Sequence, residues 1–242
     1  MGRKMKKNLE FKKGLQAGIP ICLGYLSVSF GIGIMAVRGG MSVFQAVVLS
    51  LTNLTSAGQA AGIEVIAAAG TLAEIALTQF VINIRYALMG LSLSQKLSPD
   101  FGTPQRLIAS YGITDEVFGV CSAREEEVTP PYMYGMILIA AFGWVLGTFL
   151  GAFAGEVLPV SVTNALGILL YGMFIAIIVP AAKKDHKVFI VILIAVGCSL
   201  LLRYFIPAMT SGFVVIFASV IAACIGAALF PVEDEEEQEG AV

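Results

Sequence analysis

The chain has 242 residues, of which 57% are hydrophobic and only 13% are charged, with a formal net charge of -2. A soluble domain of this length needs far fewer apolar residues to build one core, so the composition indicates an integral membrane protein. His186 is the single histidine of the chain. The chain therefore has almost none of the residues that His-based metal sites and nucleophilic triads require. We therefore expect no enzyme, no catalytic residue, no metal and no cofactor, and nothing in the chain suggests a nucleic-acid partner.

Seven apolar windows follow one another along the chain, each with about the 20 residues that a helix needs to cross a bilayer. They predict an all-α, polytopic helical membrane protein with six to seven transmembrane segments. We expect one integral membrane domain at 15–230, between a basic N-terminus at 1–14 and an acidic, disordered tail at 231–242. The windows cover residues 15–37, 42–62, 65–93, 133–155, 162–182, 188–206 and 208–230.

The N-terminal segment carries six Lys and Arg residues before the first apolar window. That window exceeds the apolar region of a signal peptide and ends without a cleavage site of small residues, so it predicts a retained first helix. Because cytoplasmic loops collect positive charge, we expect the N-terminus to be cytoplasmic.

The charge rule also predicts that one window does not cross the membrane. If all seven crossed, the loop with Arg106 and Arg124 and the turn with Lys183 would lie outside. Residues 42–62 end in small and polar side chains, which suit a broken or re-entrant segment whose backbone is satisfied by protein or water. We expect six crossings and one re-entrant segment; the alternative is seven crossings against the charge bias.

Four ionisable side chains interrupt the apolar windows: Glu64, Glu74, Arg85 and Arg203. Charges at bilayer depth are costly, and their default interpretation is functional. Glu74 and Arg85, eleven residues apart, would share a helix face about 16 Å apart and so could not pair with each other. Alternatively, Glu64 lies at a segment end in water, Glu74 is a satisfied structural group and Arg203 snorkels to the interface.

Asp115 and Glu116 lie in the polar loop between the third and fourth windows. The charge rule predicts that they lie on the inner side, either solvated or attracting cations to an entrance.

Glycines recur every four residues from Gly143 to Gly155, a spacing typical of close helix packing in membranes. Pro20 and Pro180 predict kinks or hinges inside apolar windows. Together with the break at 57–59 they create helix ends, whose partial charges suit the carboxylate and ammonium groups of a zwitterion.

Five short motifs together resemble the AzlC family, the large subunit of bacterial branched-chain amino acid exporters. The resemblance runs from about residue 14 to 230, and the Asn-x-Arg and Asp-Glu motifs carry it most specifically. Many members have His where this chain has Tyr86, so any proton coupling through that His must be done differently here. The motifs are Ala17-Gly18-Ile19-Pro20, Phe30-Gly31, Ala57-Gly58-Gln59, Ile82-Asn83-Ile84-Arg85-Tyr86-Ala87-Leu88 and Thr114-Asp115-Glu116-Val117-Phe118.

The resemblance implies a permease of the bacterial cytoplasmic membrane that exports valine, leucine, isoleucine or analogues. It also implies a partner, a small multi-spanning membrane subunit of the AzlD type. The alternatives are a non-transporting scaffold or assembly subunit and an exporter of a different small solute.

We expect a secondary transporter in which Arg85 or a helix N-terminus holds the substrate carboxylate and Asn83 and Gln59 orient it. The glycine-lined walls would admit a branched side chain, and an ion gradient would drive export. The predicted substrate-binding residues are Gly18, Pro20, Gly31, Ala57, Gly58, Gln59, Asn83 and Arg85; the predicted ion-coupling residues are Glu64, Glu74, Asp115 and Glu116.

Overall fold

The computed structural model describes residues 2–159, 175, 179 and 182–231. The regular structure of these residues is helical, and their one β-bridge joins Leu97 to Val128, so the predicted all-α fold is confirmed. The helices are α1 Gly2–Arg38, α2 Val43–Thr52, α3 Ser56–Ala67, α4 Leu72–Asn83, α5 Arg85–Ser94, α6 Thr103–Ser110, α7 Asp115–Ala123, α8 Pro130–Val157, α9 His186–Phe205 and α10 Ser211–Leu229.

Four of these helices, α1, α8, α9 and α10, are long and apolar enough to cross a membrane. The pair α4 and α5, bent by 44°, counts as a fifth if it forms one span. This is fewer than the six to seven predicted segments. The window at 162–182 with Pro180, and the tail from 232, lie outside the described residues apart from a few positions.

Helices α1 and α8 form the central pair, and they run parallel. The backbones of Gly135, Gly143 and Gly151 on α8 face Phe11, Cys22 and Phe30 on α1, so the residue numbers rise together along both helices. A Cβ at any of these glycines would overlap the α1 backbone. The glycine spacing therefore lets the two backbones approach closely, as the sequence predicted.

Helices α2 and α3 form a hairpin, which we call hairpin one. The chain leaves α1 through a turn at Gly40, whose φ of 88° favours glycine. Ser42 and Gln45 make a capping box that starts α2, and Thr55 caps α3. A Cβ at Gly39 would lie 3.3 Å from the Ala67 Cβ, so α3 returns to the end of α1. The predicted broken segment near 42–62 is confirmed, and its geometry is that of a re-entrant hairpin.

The third window is not one helix. Residues 65–67 still belong to α3, Thr71 caps α4 through its side chain, and the chain bends at Ile84 between α4 and α5. Glu74 and Arg85 therefore lie on different helices, and the expectation that they share one helix face is wrong. The reason is local: the bend lies between them.

Helices α6 and α7 form a second hairpin, hairpin two, which the sequence had suggested only as a polar loop. Its base lies beside the start of α8, where the Tyr134 hydroxyl donates to the Gln105 carbonyl at 3.2 Å. The Ser98 amide donates to the Val128 carbonyl at 2.9 Å, which closes the base. Thr114 caps α7 and lies at the tip, against Tyr25 in the interior of α1.

The two hairpins enter from opposite ends of the molecule. Hairpin one starts and ends where α1 ends, which we call the far side. Hairpin two starts and ends where α1 and α8 begin, which we call the near side. The bent α4–α5 segment connects the far side to the near side, antiparallel to α1. A span followed by a hairpin thus occurs twice with inverted direction, an arrangement that secondary transporters use around a central site.

We expect Gly151→Ala to destabilise the protein, because the new methyl group would overlap the Phe30 carbonyl. Overpacking of this kind costs about 1–3 kcal/mol. Gly155→Ala is the matched control, since a Cβ there would meet nothing nearer than 3.6 Å. Thermal unfolding in detergent measures both. Equal transition temperatures for the two variants would contradict the close α1–α8 packing.

Candidate functional site

The tips of the two hairpins enclose a cavity of about 260 Å³ against α1, α5 and α8. Drug-sized ligands occupy pockets of about 300–1,000 Å³, so this volume suits a small metabolite. Apolar side chains and polar groups both line it. The cavity is lined by Pro20, Ile21, Gly24, Tyr25 and Val28 from α1, Leu54, Thr55 and Ser56 from hairpin one, Tyr86 from α5, Thr114, Asp115 and Glu116 from hairpin two, and Trp144 from α8.

Tyr25 joins α1 to the tip of hairpin two. Its hydroxyl lies 2.6 Å from Thr114 Oγ1 and 2.6 Å from Glu116 Oε2, so its single proton serves one of these acceptors at a time. Tyr25 and Thr114 are buried. The ring of Tyr25 also meets Trp144 edge to face, with centroids 5.3 Å apart. The hydroxyl therefore makes a polar contact between α1 and the tip of hairpin two.

Arg85 and Asp115 form an ion pair between α5 and hairpin two. Arg85 Nη2 lies 2.9 Å from Asp115 Oδ2, and both side chains are partly exposed, at 44% and 42%. The Arg85 guanidinium also lies over the Tyr86 ring, 5.2 Å from its centroid. Asp115 and Glu116, which the charge rule predicts on the inner side, line the cavity because hairpin two folds back into the protein.

Two helix N-termini point at the same cavity. Helices α3 and α7 begin at Ser56 and Asp115, and Thr55 and Thr114 cap them through their hydroxyl groups. Each cap satisfies one backbone N–H of the first turn and leaves others available. The partial positive charge at these ends favours an anion. On α7 it is met by Asp115 and Glu116, whereas α3 has no acidic residue in its first turn.

Asn83 and Gly58 hold the tip of hairpin one from behind the cavity wall. Thr55 Oγ1 donates to Asn83 Oδ1 at 3.0 Å, and Asn83 donates to Gln79 Oε1 at 2.9 Å. Gln79 in turn donates to the Gly58 carbonyl at 2.6 Å, and the Tyr86 hydroxyl donates to Thr55 at 3.1 Å. These bonds fix hairpin one to α4 and α5. Asn83 and Gly58 thus position Thr55 and do not line the cavity themselves.

Gln59 braces the opposite side of hairpin one. Its side chain is fully buried; it donates to Ser50 Oγ at 2.5 Å and accepts from Trp144 Nε1 at 2.9 Å. The Ser50 hydroxyl also lies 2.6 Å from that of Thr148. Gln59 therefore fixes the indole ring that lines the cavity.

The remaining predicted substrate residues divide between the cavity and the packing around it. Pro20 lines the cavity. Gly18 faces Met136 and Ile139 of α8, so it serves helix packing. Gly31 is buried in α1 and Ala57 is half-buried in the first turn of α3, and neither lines the cavity.

Most of the lining residues were not predicted as site residues, and four of them carry the polar and aromatic contacts described above: Tyr25, Thr55, Thr114 and Trp144. A signal existed for two of them. Thr55 and Thr114 each follow a helix break and stand directly before a new helix, as capping residues do. Tyr25 and Trp144 lie inside apolar spans, where no local pattern separates a packing aromatic from a cavity aromatic.

The two remaining carboxylates lie away from the cavity. Glu64 has an exposed side chain on α3 and interacts electrostatically with Arg203 of α9. Glu74 is buried, and its carboxylate lies beside Val65 and Gly212, between α3 and the start of α10.

An ionic cluster fixes the base of hairpin two on the near side. Arg124 Nη2 lies 2.9 Å from Glu10 Oε2 and 2.5 Å from Glu126 Oε2, and its guanidinium stacks over the Tyr132 ring at 4.0 Å. This guanidinium holds the pKa of Glu126 below its usual range. Hairpin two is thus tied at its base to α1 and α8, while its tip reaches the cavity.

We expect Tyr25→Phe to lower stability by about 1–3 kcal/mol, because it leaves Glu116 without its donor. Tyr204→Phe is the matched control, since Tyr204 is 80% exposed on α9, and should change stability by less than about 0.5 kcal/mol. Chemical unfolding in detergent micelles measures both. A Tyr25→Phe variant as stable as the control would mean that the hydroxyl does not hold hairpin two.

Comparison with known proteins identifies relatives of the whole membrane region. The sequence model of the AzlC protein family matches residues 20–158. The inner membrane protein YgaZ of Escherichia coli is 26% identical over 225 residues, which cover 90% of this chain and 89% of that protein. An uncharacterized membrane protein of Archaeoglobus fulgidus is 31% identical over 75% of this chain and 80% of its own length.

A further uncharacterized membrane protein, from Helicobacter pylori, is 25% identical over 78% of this chain and 84% of its own length. No solved structure matches. With the family match spanning more than half of its length, this chain is a member of the AzlC family of membrane proteins.

Proposed function

We propose that this protein is a secondary-active permease that exports branched-chain or similar small apolar amino acids through the cavity between the two hairpin tips. The observation that carries the proposal is the cavity itself, which combines apolar side chains with two helix N-termini and the carboxylates of Asp115 and Glu116. The Arg85 guanidinium pairs with Asp115 beside it. Membership of the AzlC family agrees with a transport-related role. The proposal includes coupling to an ion gradient, a bacterial cytoplasmic membrane and a small membrane partner of the AzlD type.

An amino acid has three features to be recognised, and the cavity offers a counterpart to each. The first turn of α3 lines the cavity and suits the carboxylate. The Arg85 guanidinium, which lies beside the cavity on Asp115, would be the second partner of the carboxylate. Asp115 and Glu116 suit the ammonium group. Ile21, Val28 and Leu54 provide an apolar surface for a branched side chain, whose burial favours binding by about 25 cal/mol per Å².

In the structure Arg85 pairs with Asp115. A bound zwitterion would exchange this internal pair for two external ones, with its carboxylate on Arg85 and its ammonium on Asp115. The substrate would thus replace the contact between α5 and hairpin two. Binding would in this way allow hairpin two to move relative to α5.

The opposed hairpins suit alternating access. The Tyr111 hydroxyl of hairpin two donates to the Leu51 carbonyl of hairpin one at 2.6 Å, so the tips contact each other directly beside the cavity. Movement of one hairpin against the other would open the cavity to one side at a time, as in transporters built from inverted repeats.

Efflux from preloaded cells tests the function. We expect cells that express this chain with its neighbouring small membrane protein to release labelled leucine, valine and isoleucine faster than alanine or lysine. Expression of each protein alone shows whether the partner is required. No efflux of any amino acid, with both proteins in the membrane, would reject the proposal in favour of another solute or a non-transporting scaffold.

Arg85→Ala should abolish efflux while leaving membrane insertion normal, because the substrate carboxylate loses its cation. The double variant Arg85→Asp with Asp115→Arg restores an ion pair without restoring the arrangement of charges around the substrate. We expect this swap to recover stability and not transport. Lys184→Ala, an exposed charge, is the control. Export at the wild-type rate in either Arg85 variant would remove Arg85 from the binding site.

A further inference from the structure

Gly24 is a glycine of α1 that lines the substrate cavity. It lies one helical turn after Pro20 and one turn before Val28, and all three residues line the cavity. Ile21 and Tyr25 line it from the adjoining row of the same helix. Position 24 therefore belongs to the stripe of α1 that faces the cavity, with lining residues on the turns before and after it.

Helix packing does not require a glycine at this position. Outside its own stretch of helix, a Cβ at Gly24 would have no atom of the described residues within 4 Å. By contrast, a Cβ at Gly18 would lie 2.9 Å from the Met136 carbonyl oxygen, and one at Gly33 would lie 2.5 Å from the Ala152 amide nitrogen. Those two glycines let α8 approach α1, whereas Gly24 faces open space.

The backbone does not require a glycine at position 24 either. Gly24 lies in the interior of α1, and the glycine with a positive φ among the described residues is Gly40. Inside a helix, glycine is less favourable than alanine because it loses more conformational freedom on folding. The consequence of the missing side chain within the described residues is therefore the space that it leaves in the cavity.

The groups that suit a zwitterion lie at the hairpin tips. Asp115 and Glu116 line the cavity from hairpin two, and α3 begins at Ser56 on hairpin one. Apart from Tyr25, the residues of α1 that line the cavity are apolar. An amino acid held at the tips by its ammonium and carboxylate groups would therefore direct its side chain toward the stripe of α1 that contains Gly24.

We propose that Gly24 sets the largest side chain that the cavity accepts, and that branched amino acids fit because no Cβ occupies this position. This inference rests on the proposed function and names the residue that limits substrate size. A side chain at position 24 would tilt toward the preceding turn of the helix. It would lie over Pro20 and Ile21 and occupy part of a cavity of only about 260 Å³. Each added carbon would remove volume that the substrate side chain needs.

Substitutions at position 24 should change which amino acids are exported. One methylene more or less in an apolar pocket changes the discrimination between substrates by about 10–200-fold. We expect Gly24→Ala to lower the export of leucine and isoleucine relative to valine by about tenfold or more. Gly24→Leu should lower the export of all three, with alanine affected least. Alanine and leucine both favour a helix over glycine, so both variants should fold.

Gly197→Ala is the matched control. Gly197 lies inside α9, and a Cβ there also meets no atom of the described residues within 4 Å, but the described residues that line the cavity include none from α9. This variant should keep the wild-type ratio of leucine to valine export. Val28→Ala removes two carbons from the turn after Gly24. Combining it with Gly24→Ala should restore leucine export relative to Gly24→Ala alone, which a folding defect would not do.

Efflux of labelled leucine, isoleucine, valine and alanine from preloaded cells measures these ratios, with the partner subunit present and the amount of protein in the membrane determined for each variant. Where the wild type exports branched amino acids, an unchanged leucine-to-valine ratio in Gly24→Ala would overturn the inference and leave the proposed function standing. An equal loss of all four amino acids in Gly24→Leu would do the same.

A second measurement needs no transport. Leucine should raise the thermal unfolding temperature of the purified wild-type protein in detergent, since a ligand stabilises the state that binds it. It should not raise that of Gly24→Leu, whereas the response of Gly197→Ala should match the wild type. Equal stabilisation of Gly24→Leu and the wild type by leucine overturns the size limit at Gly24. A wild type that neither exports nor responds to any amino acid overturns the proposed function, and the inference with it.

Discussion

The structure depends on one constraint: backbone N–H and C=O groups at membrane depth must find partners inside the protein. Both hairpins break their helices inside the protein, and side chains satisfy part of each break. Thr55 and Thr114 cap the returning helices, and the Leu51 carbonyl accepts from the Tyr111 hydroxyl of the opposite hairpin. Each tip thus provides polar groups to the other tip or to the cavity.

The parallel α1–α8 pair provides the rigid support for these tips. Its glycines remove the side chains that would separate the two backbones, so the cavity faces of the two helices stay in a fixed relation. Tyr25 and Trp144 contact each other across this pair, and each is held by a hydrogen bond to a different hairpin. The position of each hairpin tip is therefore tied to the same rigid pair.

The charged groups separate into three locations with different consequences. Arg124 and Glu10 fix the base of hairpin two. Arg85 and Asp115 pair beside the cavity. Glu74 lies behind both, buried against glycine and a neutral hydroxyl. The three locations therefore use different side chains.

The sequence by itself determined the helical membrane class, the break in 42–62 and the packing role of the glycines around Gly143, because hydropathy, residue size and periodicity are local properties. It also identified Arg85, Asp115 and Glu74 as unusual. Tertiary structure decided what they contact. The bend at Ile84 separated Glu74 from Arg85, and hairpin two brought Arg85 together with Asp115, which lies thirty positions further along the chain. Such contacts depend on where the chain folds back, and the apolar pattern of a membrane span is the same for a crossing helix and for one that returns.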